Sequence, residues 1–136
     1  MKLKADCVRD VLLKLEDILL IDASFAFSPV NIQTLCSELP QYEPEDVYYT
    51  VYQLIQGKYI EAEITFLPDG GMRTSSITTL TWEGHEFIEA VRPDTVWEEV
   101  KNTIQKIGAL SVTSIAYLGK LFIETYISGM DFSKIF

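Results

Sequence analysis

The polar side chains with the most suggestive spacing lie in the segment 44–57, which has the periodicity of an amphipathic helix. Tyrosine and glutamine occupy positions off its apolar stripe, namely Tyr48, Tyr49, Tyr52, Gln53 and Gln56. Glutamine can hydrogen-bond the edge of adenine, and tyrosine can donate to phosphate. Tyrosine is also enriched at protein–protein hot spots, because it buries a large area at low entropic cost. The pattern therefore indicates a binding surface, either for DNA or for a protein.

Charge favours the protein hypothesis over the DNA hypothesis. The chain of 136 residues has 11 Lys and Arg against 20 Asp and Glu, a net charge of −9. In residues 43–79, Lys58 and Arg73 are the two cations and six carboxylates oppose them, so the local net charge is −4. DNA-binding modules often make roughly 6–10 phosphate contacts. DNA stays the alternative only if the N-terminal cations Lys2, Lys4, Arg9 and Lys14 join the same face.

The sequence has no recognisable catalytic or metal-binding motif. It lacks a Gly-rich phosphate loop, a G-x-S-x-G turn and an H-E-x-x-H pair. His85 has no Ser or Cys nucleophile at neighbouring helix positions, which favours a packing or capping role but leaves its role open. Cys7 and Cys36 are far apart and occupy apolar helix positions, so we expect core thiols. We expect a non-enzymatic protein without metal or cofactor, and, since no signal peptide is evident, a cytoplasmic one.

The hydrophobic pattern predicts the elements that position these residues. A helix over 5–20 precedes a short strand around Phe25 and Phe27, and Asn31 can cap a second helix. The helix 44–57 starts with proline in its first turn, and an alternating hairpin follows over 58–80. This order is that of a winged helix-turn-helix, an α+β and mostly helical fold. We predict that it occupies residues 1–92.

A C-terminal helical extension is predicted over residues 93–136. Thr95 and Glu98 have capping-box spacing, and Gly108 indicates a bend before a helix over 109–128 that is apolar nearly all round. Such a helix needs cover on two sides, which favours a homodimer. The predicted oligomerisation side chains are Ile115, Leu118, Phe122 and Tyr126. Burial within one chain and membrane contact are the alternatives, although the uninterrupted apolar stretch is too short to span a bilayer.

Two motifs after the hairpin resemble a known family. The first reads L-T-x-E-G-H-x-F and is matched by Leu80, Thr81, Glu83, Gly84, His85 and Phe87. The second reads R-x-D-x-V-W and is matched by Arg92, Asp94, Val96 and Trp97. With the segments 1–16 and 48–60, they resemble domain-of-unknown-function family 2513, over roughly residues 1–105.

The resemblance implies a phage or prophage origin in Gram-positive bacteria and a winged-helix core. It brings no catalytic residues. Together with the charge argument, it leads to the expectation of a phage-type winged-helix protein that acts through protein–protein interaction, for example on a host regulatory or defence component. A sequence-specific DNA-binding transcriptional regulator is the alternative.

Overall fold

The computed structural model describes residues 2–70, 72–108 and 110–129, without the side chains of residues 72–75. The first part of the chain contains α1 (Ala5–Ile18), β1 (Leu20–Ile21), β2 (Phe27–Ser28), β3 (Val30–Asn31), α2 (Ile32–Glu38) and α3 (Pro44–Gln56). The second part contains β4 (Ile60–Phe66), β5 (Met72–Leu80), α4 (Trp82–Val91), α5 (Asp94–Ile107) and α6 (Val112–Ile127). The predicted α+β, mostly helical fold class is confirmed.

The strands form two antiparallel sheets within the described residues. β5 lies between β3 and β4, so that Ile77 is opposite Val30 on one side and Ala62 on the other. The predicted hairpin of β4 and β5 is therefore confirmed. The short strand β3, which precedes α2, pairs with β5 and adds a third strand to the sheet. The pair of β1 and β2 was not predicted, since only one strand was expected before Asn31.

Three helix starts are fixed by a capping side chain or a proline, and those at Asn31 and Pro44 were predicted. The side chain of Asn31 accepts a hydrogen bond from the backbone N–H of Thr34 at 2.8 Å, and that of Thr81 accepts one from Gly84 at 3.0 Å. Pro44 lies in the first turn of α3, where its missing N–H costs nothing. Each cap satisfies a backbone donor that the helix itself leaves unpaired.

The predicted capping box of Thr95 and Glu98 is wrong. α5 begins at Asp94, one residue before Thr95, and its N-cap is Pro93, which has no side-chain donor or acceptor. Proline fixes φ at the start of the helix, but its side chain accepts no hydrogen bond from the first-turn N–H groups. A capping box is instead present at α6, where Ser111 and Ser114 exchange hydrogen bonds. Ser-x-x-Ser is a weaker signal than Thr-x-x-Glu, and the capping box at α6 was not predicted.

One hydrophobic core joins the two predicted parts of the chain. It extends from Leu3 and Val8 of the N-terminal part to Val96 of α5 and Ile115 and Phe122 of α6. Gly119 brings α6 close to α4, since a Cβ on it would lie 3.0 Å from Cγ1 of Val91. α5 and α6 therefore pack on the same core as the elements before them. No helix in the described ranges is long and apolar enough to cross a membrane.

The packing of α6 corrects the predicted oligomerisation surface. Ile115, Leu118 and Phe122 are buried inside the chain, with 0%, 5% and 1% of their surface exposed. Of the four predicted side chains, Tyr126 alone is exposed. The apolar side that was assigned to a second copy is covered by α4 and α5 of the same chain. A homodimer stays a prediction, and of the four predicted side chains it could use Tyr126 alone.

Candidate functional site

The predicted binding residues on α3 lie at different depths. Val47, Thr50, Val51 and Leu54 form the buried side of the helix. Gln56 and Lys58 are exposed, whereas the remaining predicted residues are half-buried: Tyr48, Tyr49, Tyr52 and Gln53. The side chain of Arg73 lies outside the described residues. α3 thus offers a narrow strip of uncharged polar side chains rather than a fully projecting face.

Two of the tyrosines also have a packing role. Tyr48 and Tyr49 both contact the hydrophobic core. Burial raises the pKa of Tyr48, with a smaller contribution from Cys36 of α2. The groups on α3 that are best placed for a partner are therefore Tyr52, Gln53 and Gln56, which we call the α3 strip.

Among the N-terminal cations, Lys4 and Lys14 do not extend the α3 strip with positive charge, because carboxylates pair with both. Lys4 forms an ion pair with Asp46 in the first turn of α3 at 2.7 Å, and its hydrogen bond to Asp46 raises the pKa of the Lys4 ammonium. Lys14 lies 3.9 Å from Glu38. Asp46 is separated from Gln56 by about 15 Å along the helix axis. Lys4 and Lys58 therefore lie beside opposite ends of α3.

Arg9 connects α1 to the end of α4 and the start of α5. Its Nε donates to the backbone carbonyl of Val91 at 2.8 Å, and its Nη2 donates to the carbonyl of Arg92 and to Asp94. The guanidinium also lies over the ring of Trp97, 5.5 Å from its centroid. These contacts satisfy carbonyls at the end of α4, so Arg9 is not available for phosphate.

The first family motif fastens α4 to the end of α3. The Thr81 hydroxyl donates to the carbonyl of Lys58 at 2.7 Å, and the N–H of Thr81 donates to the carbonyl of Tyr59 at 3.1 Å. Gly84 lies against that same carbonyl with no room for a side chain. The ring of Phe87 packs edge-on against Tyr59, with ring centroids 5.2 Å apart. These motif residues therefore have a structural role.

The second motif fastens α4 and α5 to α1. Arg92 pairs with Glu16 at 2.6 Å and with Glu89 at 2.8 Å. Val96 is buried, and Nε1 of the buried Trp97 donates to Asp6 at 2.9 Å. The contacts span 76 and 91 residues along the chain. No local pattern in the sequence could have indicated these partners.

His85 is exposed, and its environment is apolar on one side. It borders a cavity of about 300 Å³ together with Leu20, Ile21 and Phe27 of the β1–β2 hairpin.

Within the described part of the chain, no three His, Cys, Asp or Glu side chains come together as metal ligands. Cys7 is buried and Cys36 half-buried, both as free thiols, which confirms the predicted core positions.

The β1–β2 hairpin presents apolar side chains whose exposure was not predicted. The short strand expected around Phe25 and Phe27 begins only at Phe27, and Phe25 lies in the connection between β1 and β2. Phe25 is 90% exposed and has a φ of 65°, which is rare for an aromatic residue. Asp22 holds the turn, because its Oδ1 accepts hydrogen bonds from Ser24 and from the N–H of Ala26. The hydrogen bond from the Ser24 hydroxyl, followed by those from the two backbone N–H groups, lowers the pKa of Asp22. The spacing D-x-S in a turn was the available signal.

Fold and surface together define a small α+β, mostly helical protein whose α3 strip is its candidate binding surface. The chain belongs to the family described as "Hypothetical protein (DUF2513)", which matches residues 2–111. It is 30% identical over 127 residues to an "Uncharacterized protein" of Haemophilus influenzae (strain ATCC 51907 / DSM 11121 / KW20 / Rd), covering 91% of this chain and 97% of that protein. The family predicted from the two motifs is thus confirmed. No solved structure matches the chain.

Proposed function

We propose that the chain is a non-enzymatic winged-helix protein that acts by binding another protein through the α3 strip. The order of its elements supports the winged-helix assignment: α1, β3, α2 and α3 are followed by the β4–β5 hairpin. The sheet order β3-β5-β4 is also the one in which such a hairpin forms the wing. In this fold, α3 takes the place of the recognition helix.

The proposal of a protein partner rests on the contacts that the cations near α3 already make within the chain. Lys4 and Lys14 are engaged by carboxylates, and Arg9 binds carbonyls at the end of α4. The side of α3 away from the core carries tyrosine and glutamine. Charged residues flank them, with Lys58 after the end of the helix and three carboxylates at its start: Glu43, Glu45 and Asp46. Acidic groups repel a phosphate backbone, whereas an uncharged aromatic centre with a charged rim is typical of protein interfaces.

DNA binding remains the second candidate because of one observation. Gln56 and Lys58 are exposed at the end of the helix that would enter the major groove, and Gln53 is half-exposed beside them. Glutamine is suited to adenine, and a lysine nearby could reach phosphate. Under this alternative the protein is a sequence-specific regulator. A phage origin, which the family resemblance implies, fits both candidates, and under the first it makes a host regulatory or defence component the target.

A gel-shift titration separates the two candidates. The protein is titrated against its own upstream region and against a scrambled duplex, at about 50 and 200 mM salt, because phosphate contacts weaken steeply with salt. We expect no selective binding at either concentration. Selective, salt-sensitive binding that Lys58→Glu with Arg73→Glu abolishes would replace the proposal by the DNA alternative.

A capture experiment tests the α3 strip directly. Affinity capture from host lysate is carried out with the parent chain and with Tyr52→Ala combined with Gln53→Ala. The matched control combines Thr95→Ala with Gln105→Ala, two exposed polar residues of α5. We expect the α3 variant to lose a partner that the control retains. Equal capture by both variants would remove the α3 strip from the proposed function.

A further inference from the structure

A groove of about 710 Å³ lies between α4 and α6, and no residue of α3 lines it. Its α6 side consists of residues spaced by three or four positions, from Thr113 through Ala116 and Lys120 to Ile123 and Ile127. Such spacing places them along one side of the helix, over about 21 Å. The groove is therefore long enough for about four turns of a second helix.

The walls of the groove are unusually apolar for a protein surface. Trp82 is 75% exposed, Tyr117 66% and Ile127 77%, and all three line the groove. Ile123 and Ala116 are partly buried beside them. Single exposed apolar residues are common, but two aromatic rings and an isoleucine gathered at one concave site mark an interaction surface.

The rim of the groove is negatively charged. Glu83 and Glu86 border it from α4, Glu124 borders it from α6, and Lys120 is the cation among its lining residues. No ion pair within the described part of the chain involves Glu83, Glu86 or Glu124. Glu89 also lines the groove but is held by Arg92. The carboxylates on both sides therefore face any ligand that enters.

The two helices that form the groove are held in fixed positions. α6 crosses α4 at Gly119, where a Cβ would lie 3.4 Å from that of Ala90. At the other end, Thr81 and Gly84 fix the start of α4 to Tyr59. A groove with fixed walls binds at a lower entropic cost than one that must form on binding.

We propose that this groove binds an amphipathic α-helix of a partner protein, with apolar side chains on one face and Lys or Arg beside them. The apolar walls between two helices suit the apolar face of a third, which is a common mode of peptide recognition. The acidic rim selects basic flanks, and the net charge of −9 attracts such a segment from a distance. This site is separate from the α3 strip and does not depend on its function.

A second copy of the chain fits the groove less well than a basic helix. In a two-fold symmetric pair, each surface contacts its own counterpart. The acidic rim formed by Glu83, Glu86 and Glu124 would then face the same acidic rim of the other copy. Like charges at an interface are unfavourable, so the rim argues for a partner of opposite charge.

The probe for this proposal is a fluorescein-labelled peptide of about 15 residues, which matches the length of the groove as a helix. It carries leucine at i, i+4, i+7 and i+11 with flanking lysines, and a second peptide has glutamate in place of lysine. Fluorescence anisotropy with the full chain measures both affinities. We expect binding of the lysine peptide, about tenfold or greater preference over the glutamate peptide at low salt, and a smaller preference at high salt.

Substitutions localise the binding. Trp82→Ala and Tyr117→Ala should each weaken binding of the lysine peptide about tenfold, as hot-spot residues do. Phe25→Ala, which removes a still more exposed aromatic ring elsewhere, should not. Glu83→Lys with Glu86→Lys should reverse the preference between the peptides. The matched control, Glu61→Lys with Glu63→Lys on β4, should leave it unchanged. The α3 variant Tyr52→Ala with Gln53→Ala should bind the peptide normally, which separates this test from that of the proposed function.

Three results would overturn the proposal. The first is equal affinity for both peptides, or wild-type affinity in Trp82→Ala. The second is sedimentation of the full chain as a dimer that Trp82→Ala converts into a monomer, which would make a second copy the occupant. The third is a wild-type chain that does not bind the peptide while the variant Phe132→Ser with Phe136→Ser does, which would make the C-terminal segment the occupant.

Discussion

Gly84 and Tyr59 lie in direct backbone contact, because the Cα of Gly84 packs on the carbonyl group of Tyr59 with no space for a Cβ. That carbonyl already accepts a hydrogen bond from the N–H of Thr81. The glycine thus lets the first turn of α4 approach Tyr59, in the short connection between α3 and β4. The contact gives a physical reason for glycine in the first family motif. It also fixes the position of α4, which forms one wall of the groove.

Gly84→Ala should therefore destabilise the protein. The added methyl group would meet backbone rather than a flexible side chain, and overpacking of this kind costs about 1–3 kcal/mol. The free energy of unfolding is measured by urea denaturation. Glu86→Ala, on the exposed side of the same helix, is the control and should change stability by less than about 0.5 kcal/mol. A Gly84→Ala variant as stable as the control would show that the contact relaxes easily.

Thr81→Val should cost about 1–2 kcal/mol, because it removes both a helix cap and a bond to the end of α3. The hydroxyl of Thr81 accepts from the N–H of Gly84 and donates to the carbonyl of Lys58. Thr95→Val is the matched control, since Thr95 lies exposed in the first turn of α5, where it caps nothing. The midpoint of thermal unfolding should be clearly lower in Thr81→Val than in Thr95→Val. Equal losses would mean that the two hydrogen bonds of Thr81 add nothing to stability beyond the change of side chain.

The elements of this fold were largely predictable because each depends on local signals. The apolar spacing in residues 44–57 predicted α3, which spans Pro44–Gln56, and the spacing in residues 5–20 predicted α1, which ends at Ile18. A helix buries a stripe whose period is fixed by its geometry, so the stripe is visible before the partner is known.

The end of α3 shows why a glycine is hard to interpret from sequence. Glycine commonly ends a helix through a left-handed conformation, and Gly57 is the C-cap of α3, but its φ is −78° and the left-handed residue is Lys58, with a φ of 64°. Gly57 is needed for space instead, since a Cβ there would lie 2.7 Å from the ring of Tyr59. The sequence alone does not show which neighbour makes a glycine necessary.

The partner of each surface was not predictable. The pattern of α6 showed that two sides were apolar, yet it could not show that Ile115 and Phe122 would be covered by the same chain. Likewise, the cluster of cations in α1 gave no sign that Lys4 would meet Asp46, 42 residues away. Periodicity identifies a face, whereas the contact that covers it depends on the tertiary arrangement.

The bond between Trp97 and Asp6 should contribute measurably to the docking of α5 on α1. Its donor is buried and its acceptor charged, with Nε1 at 2.9 Å from Oδ1. A double-mutant cycle of Trp97→Phe and Asp6→Ala should give a coupling energy of about 1–2 kcal/mol, as hydrogen bonds to charged groups do. The same cycle with Lys101→Ala in place of Trp97→Phe tests the more exposed pair of Lys101 and Asp6, for which about 0.5 kcal/mol is expected. A larger coupling to Lys101 would contradict this ranking.

The hydrogen bond from Tyr42 to Asp10 should make the stability of the protein depend on pH in the alkaline range. The phenol donates to Oδ2 of Asp10 at 2.6 Å. Burial, followed by this bond and the charge of Asp10, raises the pKa of Tyr42 above its ordinary value of 10.0. The folded protein therefore keeps the phenol protonated where the unfolded chain has already lost the proton. Above about pH 10 the unfolded state is favoured increasingly, and this part of the stability is lost.

Tyr42→Phe tests that dependence. The variant should be less stable than the parent at neutral pH by about 1–2 kcal/mol, because the bond to Asp10 is missing. The difference between the two proteins should shrink as the pH rises from about 9 to 11, since the parent alone loses the contribution of Tyr42. Burial also raises the pKa of Cys7 and of Tyr59, but both groups are present in parent and variant, so their effects cancel in the difference. Tyr117→Phe, an exposed ring, is the control. A constant difference between parent and Tyr42→Phe across this range would show that Tyr42 titrates alike in the folded and unfolded states.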